Sequence, residues 1–172
     1  MYKIAILIVI GLAVLGTGDA KGTIIEFHTD GVIEDGDDYL KVSVYGTATV
    51  DMGGGSVWTL GLNESSVVNI YDGWIDALFA GDSSTVNLFG GVIALYVQAT
   101  EFSTVNIYGY GFEVTPSGLT GYWLDGTEFD MRIRRAHLPD PHYVLIPEPG
   151  TLLLLSLGSL LFVRRKRGHG GQ

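Results

Sequence analysis

A short segment recurs four times in the middle of the chain, and this repetition constrains the fold more than any other feature. The copies lie at 49–54, 67–73, 85–91 and 104–109, each with apolar residues on both sides of a central polar residue. That residue falls at positions 51, 69, 87 and 106, so the steps between copies are 18, 18 and 19 residues. A repeat this short cannot bury its own apolar face, but stacked copies can share one continuous core.

A second alternating segment follows each of the first three copies, at 56–60, 74–80 and 92–97. Each repeat is then two short strands rich in β-branched and aromatic residues, separated by glycine-rich turns and by polar corners. This pattern predicts an all-β fold, a short parallel β-helix or β-solenoid of about four coils. Its handedness stays open. Two strands per repeat favour a right-handed or flattened form, whereas a repeat of three hexapeptides is also the period of left-handed triangular helices.

The central polar residues are predicted to form a ladder along the solenoid. Stacked at the strand spacing of about 4.8 Å, asparagine side chains can hydrogen-bond from one turn to the next. We expect a structural rather than a catalytic role for Asp51, Asn69, Asn87 and Asn106, with the ladder stopping at Asp51.

Both ends of the repeat region have features typical of caps. Apolar and polar residues alternate on either side of Asp125-Gly126, which predicts a β-hairpin. Residues 118–146 are therefore interpreted as a C-terminal capping hairpin and linker. Residues 21–41, which include an acidic run from Glu34 to Asp38, are interpreted as an N-terminal cap. The solenoid repeats are thereby assigned to 42–117.

The N-terminus is typical of a secretory signal peptide. Lys3 precedes an apolar run at 4–15, and small residues then lead to Ala20, after which we expect cleavage. An uncleaved N-terminal anchor is the alternative.

The C-terminal region joins three elements in a fixed order. Pro147, Glu148 and Pro149 are followed by a Leu-rich run from Thr151 to Val163 and then by a basic stop. A helix over this run would span only about 20 Å of the roughly 30 Å of bilayer hydrocarbon, so we expect a short transmembrane segment. Because basic flanks stay in the cytoplasm, residues 21–147 are predicted to lie outside the inner membrane, and 168–172 form a short tail. The basic residues of the stop are Arg164, Arg165, Lys166 and Arg167.

This arrangement over 147–167 resembles the PEP-CTERM sorting signal of exported bacterial proteins. The resemblance implies recognition by an exosortase, a membrane-embedded processing enzyme, with cleavage near the Pro-Glu-Pro triplet and release or transfer of the passenger to the cell surface or an extracellular polymer. The repeats at 42–112 are similar to coils found in passengers of this family. The Trp123-x-Asp125-Gly126-Thr127-x-Phe129 pattern is similar to their closing segment.

Charge and composition exclude several other classes of function. Residues 23–146 hold 17 acidic residues against four basic ones, which argues against a nucleic-acid partner. The chain contains no cysteine, so disulfides and thiolate metal sites are excluded. The sequence shows no phosphate-binding, dinucleotide or metalloprotease motif, and we expect neither a cofactor nor an enzymatic activity. The alternative is a calcium ion bound by acidic loops, with Asp35, Asp37, Asp38, Asp72, Asp76 and Asp82 as the candidate ligands.

The sequence therefore favours an exported, non-catalytic surface or matrix protein. Outward aromatic residues at 71, 74, 89 and 108 could contact an extracellular polysaccharide by stacking on sugar rings. One alternative is a small carbohydrate-active enzyme of the β-helix type. Another is a subunit that polymerises end to end through an uncapped edge.

Overall fold

A computed structural model describes residues 22–134 and 143–147, and all its strands belong to one sheet that winds into a solenoid. The described residues contain no helix. The predicted signal peptide and the predicted transmembrane segment at 151–163 lie outside them. The strands are β1 Thr23–Phe27, β2 Gly31–Ile33, β3 Asp38–Val44, β4 Thr49–Leu62, β5 Val67–Ala80, β6 Thr85–Leu88, β7 Val92–Ala99, β8 Thr104–Val114, β9 Gly118–Trp123, β10 Glu128–Arg132 and β11 Tyr143–Pro147.

Successive turns pair in parallel and bring equivalent repeat positions opposite one another, which confirms the predicted all-β solenoid. Because side chains alternate across a strand, one set of columns points inward. These columns are buried and form the core. They are Val50, Val68, Val86 and Val105; Met52, Ile70, Leu88 and Ile107; and, from the second segments, Leu60, Leu78 and Val97.

The solenoid has about five turns, so the prediction of about four coils was wrong. The additional turn precedes the recognisable repeats, where β1 pairs in parallel with β3 and β2 with β4. In this first turn only the inward-facing position resembles the later repeats, because buried Ile33 lies opposite buried Met52. Outward Val32 takes the place of the ladder residue. Main-chain hydrogen bonding does not require a particular outward side chain, so the turn could form without the pattern that identified the others.

One corner of each turn depends on left-handed backbone geometry at a residue that is usually acidic. The positive φ values are 69° at Gly46, 61° at Glu64, 52° at Asp82 and 61° at Glu101. Carboxylates of the following turn offset part of the strain of this backbone geometry. The Glu64 carboxylate accepts a hydrogen bond from Gly46 N–H, and the Asp82 carboxylate accepts one from Glu64 N–H. Sequence reasoning assigned corners here but did not identify this role for the acidic residues.

Buried serines close the same corners from inside. The hydroxyls of Ser66, Ser84 and Ser103 donate to the carbonyls of residues 63, 81 and 100 at 2.8, 2.7 and 2.7 Å. All three serines are almost completely buried. A buried hydroxyl without a partner would be costly, so each of these hydrogen bonds offsets its own burial and fixes the turn.

The C-terminal end of the core is covered by an antiparallel hairpin. β8 continues into β9 with antiparallel pairing, and β9 pairs in the same way with β10. The Trp123 indole N–H donates to the Gly91 carbonyl at 3.1 Å, and the Trp123 ring packs against Phe129. Buried Leu119 and Met131 join the core cluster. The hairpin thus extends the core beyond the last complete turn.

The corner geometry generates a prediction about stability. Replacing Glu101 with glycine should raise the free energy of unfolding by up to about 1 kcal/mol, because glycine adopts positive φ without steric cost. Within the described part of the chain, the Glu101 carboxylate has no hydrogen-bond partner to lose.

Asp82→Gly is the matched comparison, since it relieves the same strain but removes the hydrogen bond to Glu64 N–H. Urea unfolding of the purified chain should rank Glu101→Gly above the parent and Asp82→Gly below Glu101→Gly. Equal effects of the two substitutions would contradict the compensating role of the Asp82 carboxylate.

Candidate functional site

The outward surface of segments 49–52, 67–70, 85–88 and 104–107, here called the ladder face, carries the predicted polar column. Asn69 Nδ2 donates to Asp51 Oδ1, Asn87 Nδ2 to Asn69 Oδ1, and Asn106 Nδ2 to Asn87 Oδ1, each at 2.8 Å. The structure therefore places the four residues in one hydrogen-bonded file. Every donor points toward the N-terminal end of the solenoid.

The direction of the file explains the aspartate at its end. An ionised carboxylate only accepts hydrogen bonds, so Asp51 can receive the last N–H but cannot continue the file. The amide dipoles are aligned, with their positive ends toward this carboxylate, and each hydrogen bond polarises the next. The bond to Asp51 is also charge-assisted. In Asn69 and Asn87 the amide oxygen and one N–H are both used between turns, which makes the column a structural element.

Beside this column lies a file of aromatic rings. Tyr71 stacks on Phe89 with centroids 5.0 Å apart, and Phe89 stacks on Tyr108 at 4.3 Å. Phe89 therefore has a ring against each of its two faces and cannot stack on a sugar. Among the described residues no second ring stacks on Tyr71, and in the preceding turn Gly53, which carries no side chain, lies opposite Asp72. The rings stabilise one another along the solenoid, as the ladder amides do.

Two tryptophans on the second segments are also exposed. Trp58 is 58% exposed and Trp74 is 47% exposed. Trp74 lies opposite Ser56, so Trp58 is two residues further along the neighbouring strand and on the same side of the sheet. The Trp74 indole N–H donates to Asp76 Oδ1 at 2.8 Å, which orients the ring. Sequence reasoning selected Trp74 but not Trp58, although their i and i+2 positions in paired strands were a usable signal.

The acidic residues considered for calcium mostly have structural partners. Asp37 accepts a hydrogen bond from Glu34 N–H, Asp72 from Gly73 N–H and Asp82 from Glu64 N–H. Within residues 22–134 and 143–147, no three His, Asp or Glu side chains are grouped closely enough to hold a metal ion.

The beginning of the sorting region belongs to the folded domain. β11 pairs in parallel with β8 and places Val144 opposite Asn106, so the ladder face continues into the segment that ends at Pro147. The Tyr143 hydroxyl accepts a hydrogen bond from Ala99 N–H at 3.1 Å and donates one to the Val97 carbonyl at 3.3 Å. The other predicted sorting residues, Glu148, Pro149 and those at 164–167, lie outside the described residues. No helix within the described ranges is long and apolar enough to cross a membrane.

Residues 145–167 match the family model of the PEP-CTERM protein-sorting motif. The chain carries a PEP-CTERM sorting motif. This motif implies recognition by an exosortase and export to the membrane or the cell surface. No curated protein and no solved structure matches the chain significantly. The PEP-CTERM match begins at Leu145, so it shares three residues with β11.

The ladder generates a prediction that separates hydrogen bonding from simple packing. Asn87→Ala removes the acceptor of Asn106 and the donor to Asn69, so it should lower the free energy of unfolding by about 1–2 kcal/mol. Asp51→Asn retains an acceptor for Asn69 and loses only the charge assistance of that bond, so it should cost less than Asn87→Ala.

Thr85→Ala is the matched control, because Thr85 lies on the same strand and points to the same side as Asn87. Chemical denaturation of the three variants and the parent should place Asn87→Ala well below the other two. An Asn87→Ala variant as stable as Thr85→Ala would show that the amide file contributes little.

Proposed function

We propose that the chain is a non-catalytic exported protein of the cell surface or extracellular matrix, which displays a stiff β-solenoid and is sorted and processed through its C-terminal signal. The observation that carries this proposal is the PEP-CTERM motif at 145–167, which continues directly from the last strand of the solenoid. A signal peptide at 1–20 directs export, and the segment at 151–163 holds the chain in the inner membrane until an exosortase processes it near Pro147.

The use of polar groups in the solenoid supports a structural passenger. The amides of Asn69 and Asn87 bond to neighbouring turns, and the hydroxyls of Ser66 and Ser103 donate to the Val44 and Ala80 carbonyls of the preceding turn. Such groups resist separation of the turns, since each would lose a partner when a turn opened. The result is a rod suited to passive display outside the cell.

A polysaccharide contact is a finer proposal that rests on Trp58, Trp74 and Asp76. Two exposed indoles on one side of the sheet offer apolar faces to sugar rings, and a carboxylate beside them can accept hydroxyl hydrogen bonds. The stacked file of Tyr71, Phe89 and Tyr108 suits this role less well, because Phe89 is covered on both faces and each of the two tyrosines on one.

Processing can be tested by the mass of the species that leaves the membrane in a host with the sorting machinery. The parent chain should lose residues before about position 21 and those beyond the Pro-Glu-Pro triplet. Replacing Pro147, Glu148 and Pro149 together with alanine should retain the C-terminal mass and the membrane location.

Glu128→Ala is the matched control, because it changes an exposed glutamate of β10 and leaves the motif intact. A triple-alanine variant that is processed like this control would contradict sorting through the triplet.

The passive role and the polysaccharide contact can be tested together with the host's extracellular polymer. Trp58→Ala combined with Trp74→Ala should abolish co-sedimentation with the polymer, whereas Phe89→Leu should preserve it, because stacking on Tyr71 and Tyr108 already covers the Phe89 ring. The polymer should remain intact throughout. Polymer turnover that disappears in Asp76→Ala or Arg134→Ala would overturn the non-catalytic proposal in favour of a carbohydrate-active enzyme.

A further inference from the structure

Three residues of the chain belong both to a strand of the solenoid's sheet and to the sorting motif. Leu145, Ile146 and Pro147 are the first residues of the PEP-CTERM match, and they are also the end of β11. In β11 they lie opposite Ile107, Tyr108 and Gly109 of β8. The start of the sorting motif is thus a strand of the solenoid's sheet.

The docking of β11 depends on inward side chains. The Tyr143 ring packs against the core, and its hydroxyl bonds to both Ala99 N–H and the Val97 carbonyl. Burial raises the pKa of Tyr143 above the usual 10.0, so its hydroxyl stays protonated near neutral pH and can donate. Leu145 and Tyr143 line a groove of about 160 Å³ together with Val114, Pro116, Leu119 and Ile133. Tyr143 therefore anchors β11 to the core, whereas Leu145 lines the groove and stays 36% exposed.

An enzyme that binds an extended peptide uses the same kinds of groups that dock β11 on β8. Main-chain groups along one edge of the peptide bind to the enzyme, and alternate side chains enter its pockets. In docked β11 one edge is already paired with β8, and Tyr143 is already held by its ring packing and its hydroxyl hydrogen bonds. A peptide in this state is a poor substrate.

We propose that the last turn of the solenoid is an intramolecular binding site for the start of the sorting motif, and that β11 must leave β8 before the exosortase can bind residues 145–147. This inference rests on the proposed processing. The undocked fraction of β11 then limits the processing rate, as for other sites that open by local unfolding. The solenoid influences its own sorting through the strength of this docking.

A disulfide that locks β11 tests the proposal directly. Val144 and Asn106 are opposite one another, and the chain has no cysteine of its own, so Asn106→Cys with Val144→Cys forms a single cross-link between β11 and β8. Thr85→Cys with Thr104→Cys is the matched control, since it joins two neighbouring strands and leaves β11 free. Both variants are made as full chains in a host with the sorting machinery.

The locked chain should be processed at least about tenfold more slowly than the control, and reduction of its disulfide should restore the rate, because cleavage follows the open population. Equal processing of the locked, reduced and control chains would overturn the proposal.

A second measurement does not depend on the exosortase. Tyr143→Phe leaves Ala99 N–H and the Val97 carbonyl without the hydroxyl, which should raise the undocked population roughly fivefold to tenfold. Digestion of the purified full chain with a protease of broad specificity, read by mass spectrometry, should show faster cleavage within 143–147 in this variant and almost none in the locked chain. An unchanged circular dichroism spectrum verifies that the solenoid remains folded.

The two measurements separate this inference from the proposed function. A parent chain that is exported but never processed would contradict the proposed function, and the protease digestion would still decide whether β11 is shielded. Cleavage within 143–147 at the same rate in the locked and reduced chains would overturn the docking proposal even if processing occurs.

Discussion

Parallel main-chain pairing of successive turns, with equivalent repeat positions opposite one another, underlies every other contact in this protein. It places Val86 against Val68, Asn87 against Asn69 and Phe89 against Tyr71. Each position must therefore carry a side chain that interacts favourably with a copy of itself. Aliphatic residues satisfy this requirement in the core, amides in the ladder, and rings in the aromatic file. This self-complementarity supports the proposal of a stiff rod at the cell surface.

The same constraint determines which groups remain available to the outside. Side chains that stack on their own kind are occupied along the solenoid axis, as Asn87 and Phe89 are. Trp58 and Trp74 depart from the column pattern, because Trp74 faces Ser56 rather than another ring. They remain exposed for this reason. Irregular positions such as Trp58 and Trp74 thus leave side chains free of the contacts between turns.

At its C-terminal end the solenoid meets the sorting motif without an intervening linker. The open edge of β8 is an acceptor for a further parallel strand, and β11 fills it with the segment that leads to Pro147. An exposed edge strand can pair with another chain, so covering this edge protects the protein from such association. The cover is also the beginning of the PEP-CTERM motif. Edge protection and sorting are therefore linked through one strand.

The sequence by itself determined the repeat, the inward valine and isoleucine columns, the file from Asp51 to Asn106 and the C-terminal motif, because each is written as residue types at regular spacing. Only the tertiary structure decided the additional first turn, where Val32 departs from the pattern, and the corner role of Glu64 and Asp82. It alone showed the docking of β11, which joins segments 38 residues apart, as in the pairing of Tyr143 with Val105. These features depend on main-chain hydrogen bonds and backbone angles. Many different amino-acid sequences are compatible with them, so no residue pattern identifies them.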